Sequence, residues 1–383
     1  MQFTISSGDA INEVIAKISD AEEIAVDTEF HAENRYHPEL YLVAIQIPNG
    51  DTLLIDPKES NALMRISEVM VRTPWIVHAG SQDIALLNRA FGAVPTQIFD
   101  TQIAAGLLTP SYPAPFSTII TNFSEHTPAK SATLSDWKRR PLSNLQLAYC
   151  AHDVIPLPRV AQTMRKSLIE QDRLNIAEMA FSEARKMALT PSNPDLAYLQ
   201  IPSLPSLTRS DAAVLQGLAS WRDRQAKHEN RSAFSLISNA ALHRFSRERP
   251  ETRRELLQNR RISKRIVEKY GEALLQTIQT ASMRPEWAWP RHIQNDTPAQ
   301  DRALWLDVVA RAIGREQNFS AKLLLPKQHR DAIAIEPKQT MTSLEELLGW
   351  RTSLIGPPLE AALCGNLSLS HPDKPNSHLR IRK

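Results

Sequence analysis

The chain has only two cysteines, Cys150 and Cys364, in 383 residues. They fall in different predicted domains, which argues against a disulfide scaffold or a thiolate metal site and leaves two reduced thiols in a reducing compartment. No apolar run approaches the roughly 18 residues that a membrane-crossing helix needs. The N-terminus, MQFTISSGDAINEV, lacks a basic stretch followed by an apolar one, so a cytoplasmic location away from membranes is expected. Positive charge is scarce in the first part of the chain. Residues 1–160 hold 11 Lys and Arg against 18 Asp and Glu, a net of −7, and the remainder holds 34 against 24, a net of +10. An acidic part cannot hold a polyanion except through cations. The basic remainder can, because each neutralised phosphate releases counterions. Its densest stretch, Arg222–Lys269, has 14 basic and 6 acidic residues, and reads either as nucleic-acid contact or as a solvated helical face.

Against these absences stand four acids and a tyrosine. Asp27 and Glu29 lie in EIAVDTEF, an apolar, β-branched run that reads as a buried strand ending in carboxylates. Residues two apart on a strand share a face. Asp83 lies in VHAGSQDIALL, and Tyr149 and Asp153 are four apart in the helical pattern LAYCAHDV, so they also share a face. Each alone has a plain explanation: a strand-end pair facing water, an acid complementing a helix N-terminus, a local helix contact. Together they point elsewhere. Acids held side by side near a core repel unless a cation sits between them. Oxygen-only ligands favour a hard ion, Mg²⁺ or Mn²⁺. Two such ions bridged by carboxylates are a device for in-line attack on a phosphodiester, so the pattern points to a nuclease.

Length and pattern predict two or three domains. Over residues 1–190, strands read at Glu23–Phe30, Val43–Ile47, Thr52–Ile55 and Trp75–Val77, with a hairpin signal at Asn49-Gly50-Asp51. Helices read at Asp9–Lys17, Asn61–Val71, Gln82–Phe91 and Thr101–Leu108, which gives a mixed α/β domain. Thr109–Ser117 carries three prolines and reads as irregular; Pro156 and Pro158 should break the helix soon after Asp153. A proline-rich linker is expected over 191–206, a helical domain over 207–283, a second linker over 284–298, a second helical domain over 299–370, and a disordered basic tail over 371–383. Trp221 and Trp350, each followed by Arg at corresponding helical positions, suggest an internal repeat and read as core anchors.

DTEF with YHPEL downstream, then HAGSQDIALL, FDTQIAAGLL, SDWKRRPLSNLQLAYCAHDV and ELLGWRTSL, in this order, resemble the ribonuclease D family, bacterial 3′→5′ exoribonucleases of the DEDD superfamily. The resemblance implies a ribonuclease H-like α/β exonuclease domain followed by two small all-α HRDC-type domains. It implies that Asp27, Glu29, Asp83 and Asp153 hold two divalent ions, Mg²⁺ or Mn²⁺, and that Tyr149 orients the attacking water. Tyr149 stands four before Asp153, the position of the tyrosine subclass, whereas Ala148 occupies the place a histidine takes in the other; His152 lies off that face. Substrate contacts are implied at Phe30, His78, Trp137, Lys138, Arg139 and Arg140. The implied partners are RNA 3′ ends, especially transfer RNA precursors, handled by a monomer without an obligate protein partner. Two departures bear on substrate fit: Gln82 stands where the family tends to carry Glu, and ELYLVAI between Pro38 and Gln46 is longer than usual, which implies a bulge or a shifted strand. Two alternatives stay open, a DNA 3′→5′ exonuclease, because acids cannot see the 2′-hydroxyl, and a nucleic-acid-binding protein with a vestigial nuclease domain.

Overall fold

The β-branched run Ile24–His31 forms strand β1, the middle strand of a five-stranded sheet, with its first three residues buried. This is a computed structural model that describes residues 8–48, 50–57, 60–124, 136–202, 207–291, 296–337, 343–370 and 380–382. β1 pairs antiparallel with β2 (Glu39–Gln46), which pairs antiparallel with β3 (Thr52–Ile55). On its other edge β1 pairs parallel with β4 (Trp75–Val77), which pairs parallel with β5 (Ile98–Asp100). Helices α1 (Gly8–Ser19), α2 (Ser60–Met70), α3 (Ser81–Phe91), α4 (Thr101–Leu108), α5 (Phe116–Phe123), α6 (Asn144–Val154), α7 (Leu157–Glu170) and α8 (Leu174–Leu189) complete the mixed α/β half.

Several elements depart from the sequence reading. β5 is three residues long, too short to carry a period, and α5 begins inside the proline-rich stretch, with Pro115 at its N-cap. Proline is compatible with a helix start because the first N–H groups have no intrahelical partner. β2 begins at Glu39 rather than Val43. Glu29 faces Leu42 but Phe30 faces Leu40, so Tyr41 is the extra residue of a β-bulge. That accounts for the long ELYLVAI segment, and the Tyr41 carbonyl accepts from Arg140 Nη2 at 2.9 Å. The β2–β3 pairing agrees with the hairpin signal, of which Asn49 lies outside the described residues. α6 stops at Val154 and Pro156 sits at the N-cap of α7, as the prolines required.

The helical half repeats one plan. α9 (Arg209–Glu229), α10 (Ala233–Leu236), α11 (Asn239–Glu248), α12 (Arg253–Leu257) and α13 (Lys264–Ser282) are followed by α14 (Thr297–Gln317), α15 (Ala321–Leu324), α16 (Lys327–Ile335) and helices Leu344–Leu348 and Thr352–Leu363. α9 and α14 are each 21 residues and end on an asparagine in the left-handed region, Asn230 (φ 47°) and Asn318 (φ 56°). Each asparagine opens the same turn, Asn-x-Ser-Ala. The repeat does not lie in the Trp-Arg pairs: Trp221 is inside α9, whereas Trp350 is in a 3-10 turn ahead of the last helix, so the two are not equivalent.

Both Asn-x-Ser turns grip the α/β half. In the first module the His37 N–H donates to Asn230 Oδ1 and the Ser232 N–H to the Asn34 carbonyl, each at 3.0 Å. In the second, Asn318 Nδ2 donates to the Leu108 carbonyl at 2.7 Å and the Ser320 N–H to the Gly106 carbonyl at 2.8 Å. Gly106 makes that approach feasible, since a Cβ there would lie 2.9 Å from Leu323 Cδ2. The modules differ in their cores. Residues from Tyr198 to Ala281 form a hydrophobic cluster of their own, whereas Leu306, Val309, Ile313, Leu324 and Ile355 continue the core of the sheet. Part of the predicted 191–206 linker is a 3-10 stretch, Pro194–Gln200, that packs on α9 and buries Tyr198. The tail contributes a strand, Arg380–Arg382, paired with Ser368–Ser370, while residues 371–379 and 383 lie outside the described set. Among the described residues no helix is long and apolar enough to cross a membrane.

Candidate active site

The site is built where β1 meets α6. Ser143 and Gln146 close a capping box that starts α6, Ser143 Oγ accepting from the Gln146 N–H at 3.3 Å and Gln146 Oε1 from the Ser143 N–H at 2.9 Å. α6 then packs across β1, β2 and β3. Strand period brings Asp27 and Glu29 to one face, and the helix lowers Asp153 onto them. One carboxylate oxygen from each of Asp27, Glu29 and Asp153 lies within 4.8 Å of the others. The Tyr149 hydroxyl donates to Asp153. Trp137, only 6% exposed, packs its ring 6.2 Å from that of Tyr149.

Asp83 arrives from the other side, and the turn before α3 is engineered for it. A Cβ on Gly80 would sit 2.5 Å from Val77 Cβ, so only glycine fits there. Ala79 adopts φ 55°. Buried Asp100 holds this turn, accepting from the N–H groups of Ala79 and Gly80 at 3.1 Å and of Gln102 at 2.9 Å, while also capping α4. The FDTQ block is therefore the clasp of the HAGS turn. Asp83 is buried and accepts a hydrogen bond from the Thr28 hydroxyl; it stands outside the triad of close oxygens. Gln82 beside it is exposed.

Crowding and burial disfavour charge on these acids. Burial, then the neighbouring Asp83, Asp153 and Glu29, holds Asp27 well above the usual carboxylate range. Glu29 is pushed up to about 8 by burial and Asp153, and Asp83 and Asp153 to about 6, each chiefly by burial. Hydrogen bonds from Thr28 to Asp83 and from Tyr149 to Asp153 partly oppose the rise. Burial and the acids raise Tyr149 and Cys150 as well, so both stay protonated, and Cys150 Sγ contacts Glu29 Oε1 at 3.7 Å. An all-oxygen set that resists ionisation by itself fits a hard divalent cation, which would restore the charged form.

The residues expected to touch substrate divide into two groups. His78 is half-buried, its Nδ1 3.0 Å from Thr101 Oγ1 and its ring 4.9 Å from Phe116; burial lowers it to about 4, so the imidazole is neutral. Phe30 is half-buried at the bulge, and Lys138 and Arg139 are exposed, Lys138 lying 3.6 Å from Glu33. Trp137 and Arg140 face inward instead. Trp137 is a wall for Tyr149 rather than an open stacking platform. Arg140 pairs with Asp56 and donates to the Tyr41 and Trp137 carbonyls, tying the bulge to the loop before α6. Thr28, Asp100 and Cys150 were missed by sequence reasoning, because their partners lie far along the chain and no spacing announces them.

Residues 2–169 match the family described as 3′–5′ exonuclease, and residues 211–278 match the HRDC domain. The ribonuclease D of Pseudomonas paraeruginosa is 28% identical over 349 residues, spanning 89% of this chain and 92% of its own. That of Serratia proteamaculans is 28% identical over 378 residues, spanning 95% of this chain and 100% of its own. The chain therefore carries a 3′–5′ exonuclease domain followed by an HRDC domain, and is similar to ribonucleases D along about nine-tenths of its length. The crystal structure of Escherichia coli RNase D, described as an exoribonuclease involved in structured RNA processing, is 24% identical and superposes with a TM-score of 0.79 over 95% of this chain and 99% of its own. That likeness establishes a shared fold: a ribonuclease H-like exonuclease half followed by a helical half with HRDC architecture. The acidic triad lies within the exonuclease match.

Proposed function

We propose that this protein shortens RNA from its 3′ end, releasing nucleoside 5′-monophosphates, and that its substrates include 3′-extended transfer RNA precursors and other small structured RNAs. The observation that carries the reading is the Asp27, Glu29 and Asp153 triad, with oxygens within 4.8 Å of one another on an exonuclease frame. These three acids would hold one divalent ion, Mg²⁺ or Mn²⁺, and Asp27 with Asp83 a second. Such ions, when bound, neutralise phosphate charge and make a coordinated water acidic.

The chain's own groups supply the geometry. Tyr149, held protonated, donates its O–H to Asp153 and keeps its oxygen lone pairs to aim a water; a phenol raised above its ordinary value is no base at neutral pH. Thr28 and Cys150 steady Asp83 and Glu29. Neutral His78 offers a ring nitrogen to the terminal nucleotide, and exposed Lys138 and Arg139 bring positive charge to an otherwise acidic domain. RNA is favoured over DNA by the relatives' shared name, since neither the acids nor the phenol report on a 2′-hydroxyl. Matched 5′-labelled RNA and DNA oligomers, incubated with Mg²⁺ or EDTA, test this. The expected result is a ladder retreating from the RNA 3′ end in Mg²⁺ only, with 5′-monophosphates released. Equal loss of DNA, or loss in EDTA, would overturn it.

A further inference from the structure

The loop between α12 and α13 has a feature that the exonuclease chemistry does not use. Gln258, Asn259, Arg260 and Arg261 of this loop, with Ala240 and Arg244 of α11, line a cleft of about 570 Å³. No acidic side chain lines it. Arg260 and Arg261 are exposed and neither guanidinium has an ion-pair partner among the described residues; Arg244 is held along one edge, its Nε 2.7 Å from both oxygens of Glu248.

Asn259, which also lines the cleft, is 1% exposed. Its Oδ1 accepts from the Arg261 N–H at 3.0 Å, and its backbone carbonyl accepts from the Ile262 N–H at 3.1 Å. That Asx turn fixes the amide's orientation and projects Arg260 and Arg261 outward. It leaves Nδ2 as a buried donor with no protein acceptor. Buried donors without partners are rare, because losing water without a replacement acceptor is costly. A donor of that kind, on a residue that lines the cleft together with guanidiniums lacking counter-acids, matches an anion with several acceptor oxygens, and guanidinium forks match phosphate geometry.

We infer that this cleft holds a backbone phosphate of the RNA, upstream of the 3′ nucleotide being removed. The inference rests on the proposed exoribonuclease reading for its choice of polymer. The site would anchor the body of a structured RNA on the first helical module while the 3′ end occupies the acidic site.

The test is binding of a 5′-labelled, 3′-extended transfer RNA to the full-length protein in EDTA, so that affinity is read without hydrolysis. Trimming of the same RNA by the wild type in Mg²⁺ is scored separately; its failure would sink the nuclease reading and leave the binding result standing. Arg260→Gln with Arg261→Gln is compared with Arg247→Gln with Arg254→Gln, which removes equal charge from the same module outside the cleft. The cleft pair should weaken binding by about tenfold or more beyond the control pair, the scale of a lost charge-assisted hydrogen bond. It should also reduce the slope of log K against log salt by about two units. Asn259→Asp keeps the turn acceptor but replaces the free donor, and should weaken binding comparably with an unchanged melting temperature. Titration of the wild type with inorganic phosphate should move the Asn259 side-chain amide resonance saturably, and RNA should displace the phosphate. If the cleft pair tracks the control pair, or if phosphate saturates the amide without competing with RNA, the cleft is not a seat for the RNA backbone.

Discussion

Tyr149 shows how much a single residue's role depends on its neighbours. Asp153 accepts its hydrogen bond, Trp137 walls its ring, and burial with the surrounding acids keeps it neutral. We expect Tyr149→Phe to slow single-turnover hydrolysis by about 10²-fold, the scale of a positioned proton-transfer partner, with RNA affinity retained. Unchanged chemistry with weakened binding would make it a substrate contact instead. The acids carry a pH signature whose sign follows from their values. Burial pushes Glu29 up to about 8 and Asp83 and Asp153 up to about 6, above the ordinary carboxylate value of about 4. Between about pH 4 and 8 the unfolded chain has released protons that the ion-free folded site retains, so stability falls as pH rises through that window. Melts in EDTA should therefore be lower at pH 8 than the rest of the protein dictates, and Asp27→Asn should shrink the difference between pH 5 and pH 8. Mg²⁺ should raise the melting temperature more at pH 8 than at pH 5, because the ion requires deprotonated ligands. An EDTA difference unaltered by Asp27→Asn would contradict the crowding account. The motif residues were legible because periods of two and four put them on shared faces. Thr28 was not, since its hydroxyl finds Asp83 55 residues away.

At the scale of elements, two small devices set the site's geometry. The first is the HAGS turn, which seats α3. Gly80→Ala would force a Cβ to within 2.5 Å of Val77 and should cost about 1–3 kcal/mol in urea unfolding, with activity lost through the displaced Asp83. A variant of full stability would mean the turn has slack. The second is the bulge at Tyr41, clamped by Arg140. Arg140→Gln removes the donor to the Tyr41 carbonyl and the ion pair with Asp56, and should destabilise the protein by about 1–3 kcal/mol. If it instead weakens RNA binding at undiminished stability, Arg140 is a substrate contact as its sequence context implied. Strands and helices with a clear period were readable to within a few residues. β5 was too short for one, and the prolines before α5 masked a helix that uses one of them as its cap.

At the scale of the whole molecule, the two helical modules repeat one plan but attach differently. Both use an Asn-x-Ser turn to grip the exonuclease half, yet only the second merges its core with the sheet. Buried Arg351 reinforces the merger, its Nη1 2.8 Å from Glu183 of α8, an anchor shared by Trp350 Nε1 at 2.9 Å. A chain ended at Pro191 should therefore expose the apolar face that Leu306, Val309 and Leu324 cover, and lose solubility or cooperative melting. Retention of a sharp melt would show that the exonuclease half is independent. None of this was legible in the sequence, where proline-rich stretches suggested separable domains, because linker composition reports local chain stiffness and not which distant helix completes a core. The charge split was legible, and on the proposed function it would seat the polyanion's body on the basic half and its 3′ end at the acids. The central claim is that those acids cut RNA as a unit. It is tested most directly by single-nucleotide release from a 3′-extended transfer RNA in Mg²⁺ by wild type, Asp27→Asn and Asp153→Asn, each checked by thermal melt. The account predicts stepwise 3′ shortening by the wild type and none by either variant, with both variants folded and at least as stable in EDTA, since like-charge repulsion is relieved. Near-wild-type turnover by either variant, or an intact RNA after incubation with the wild type, would contradict it.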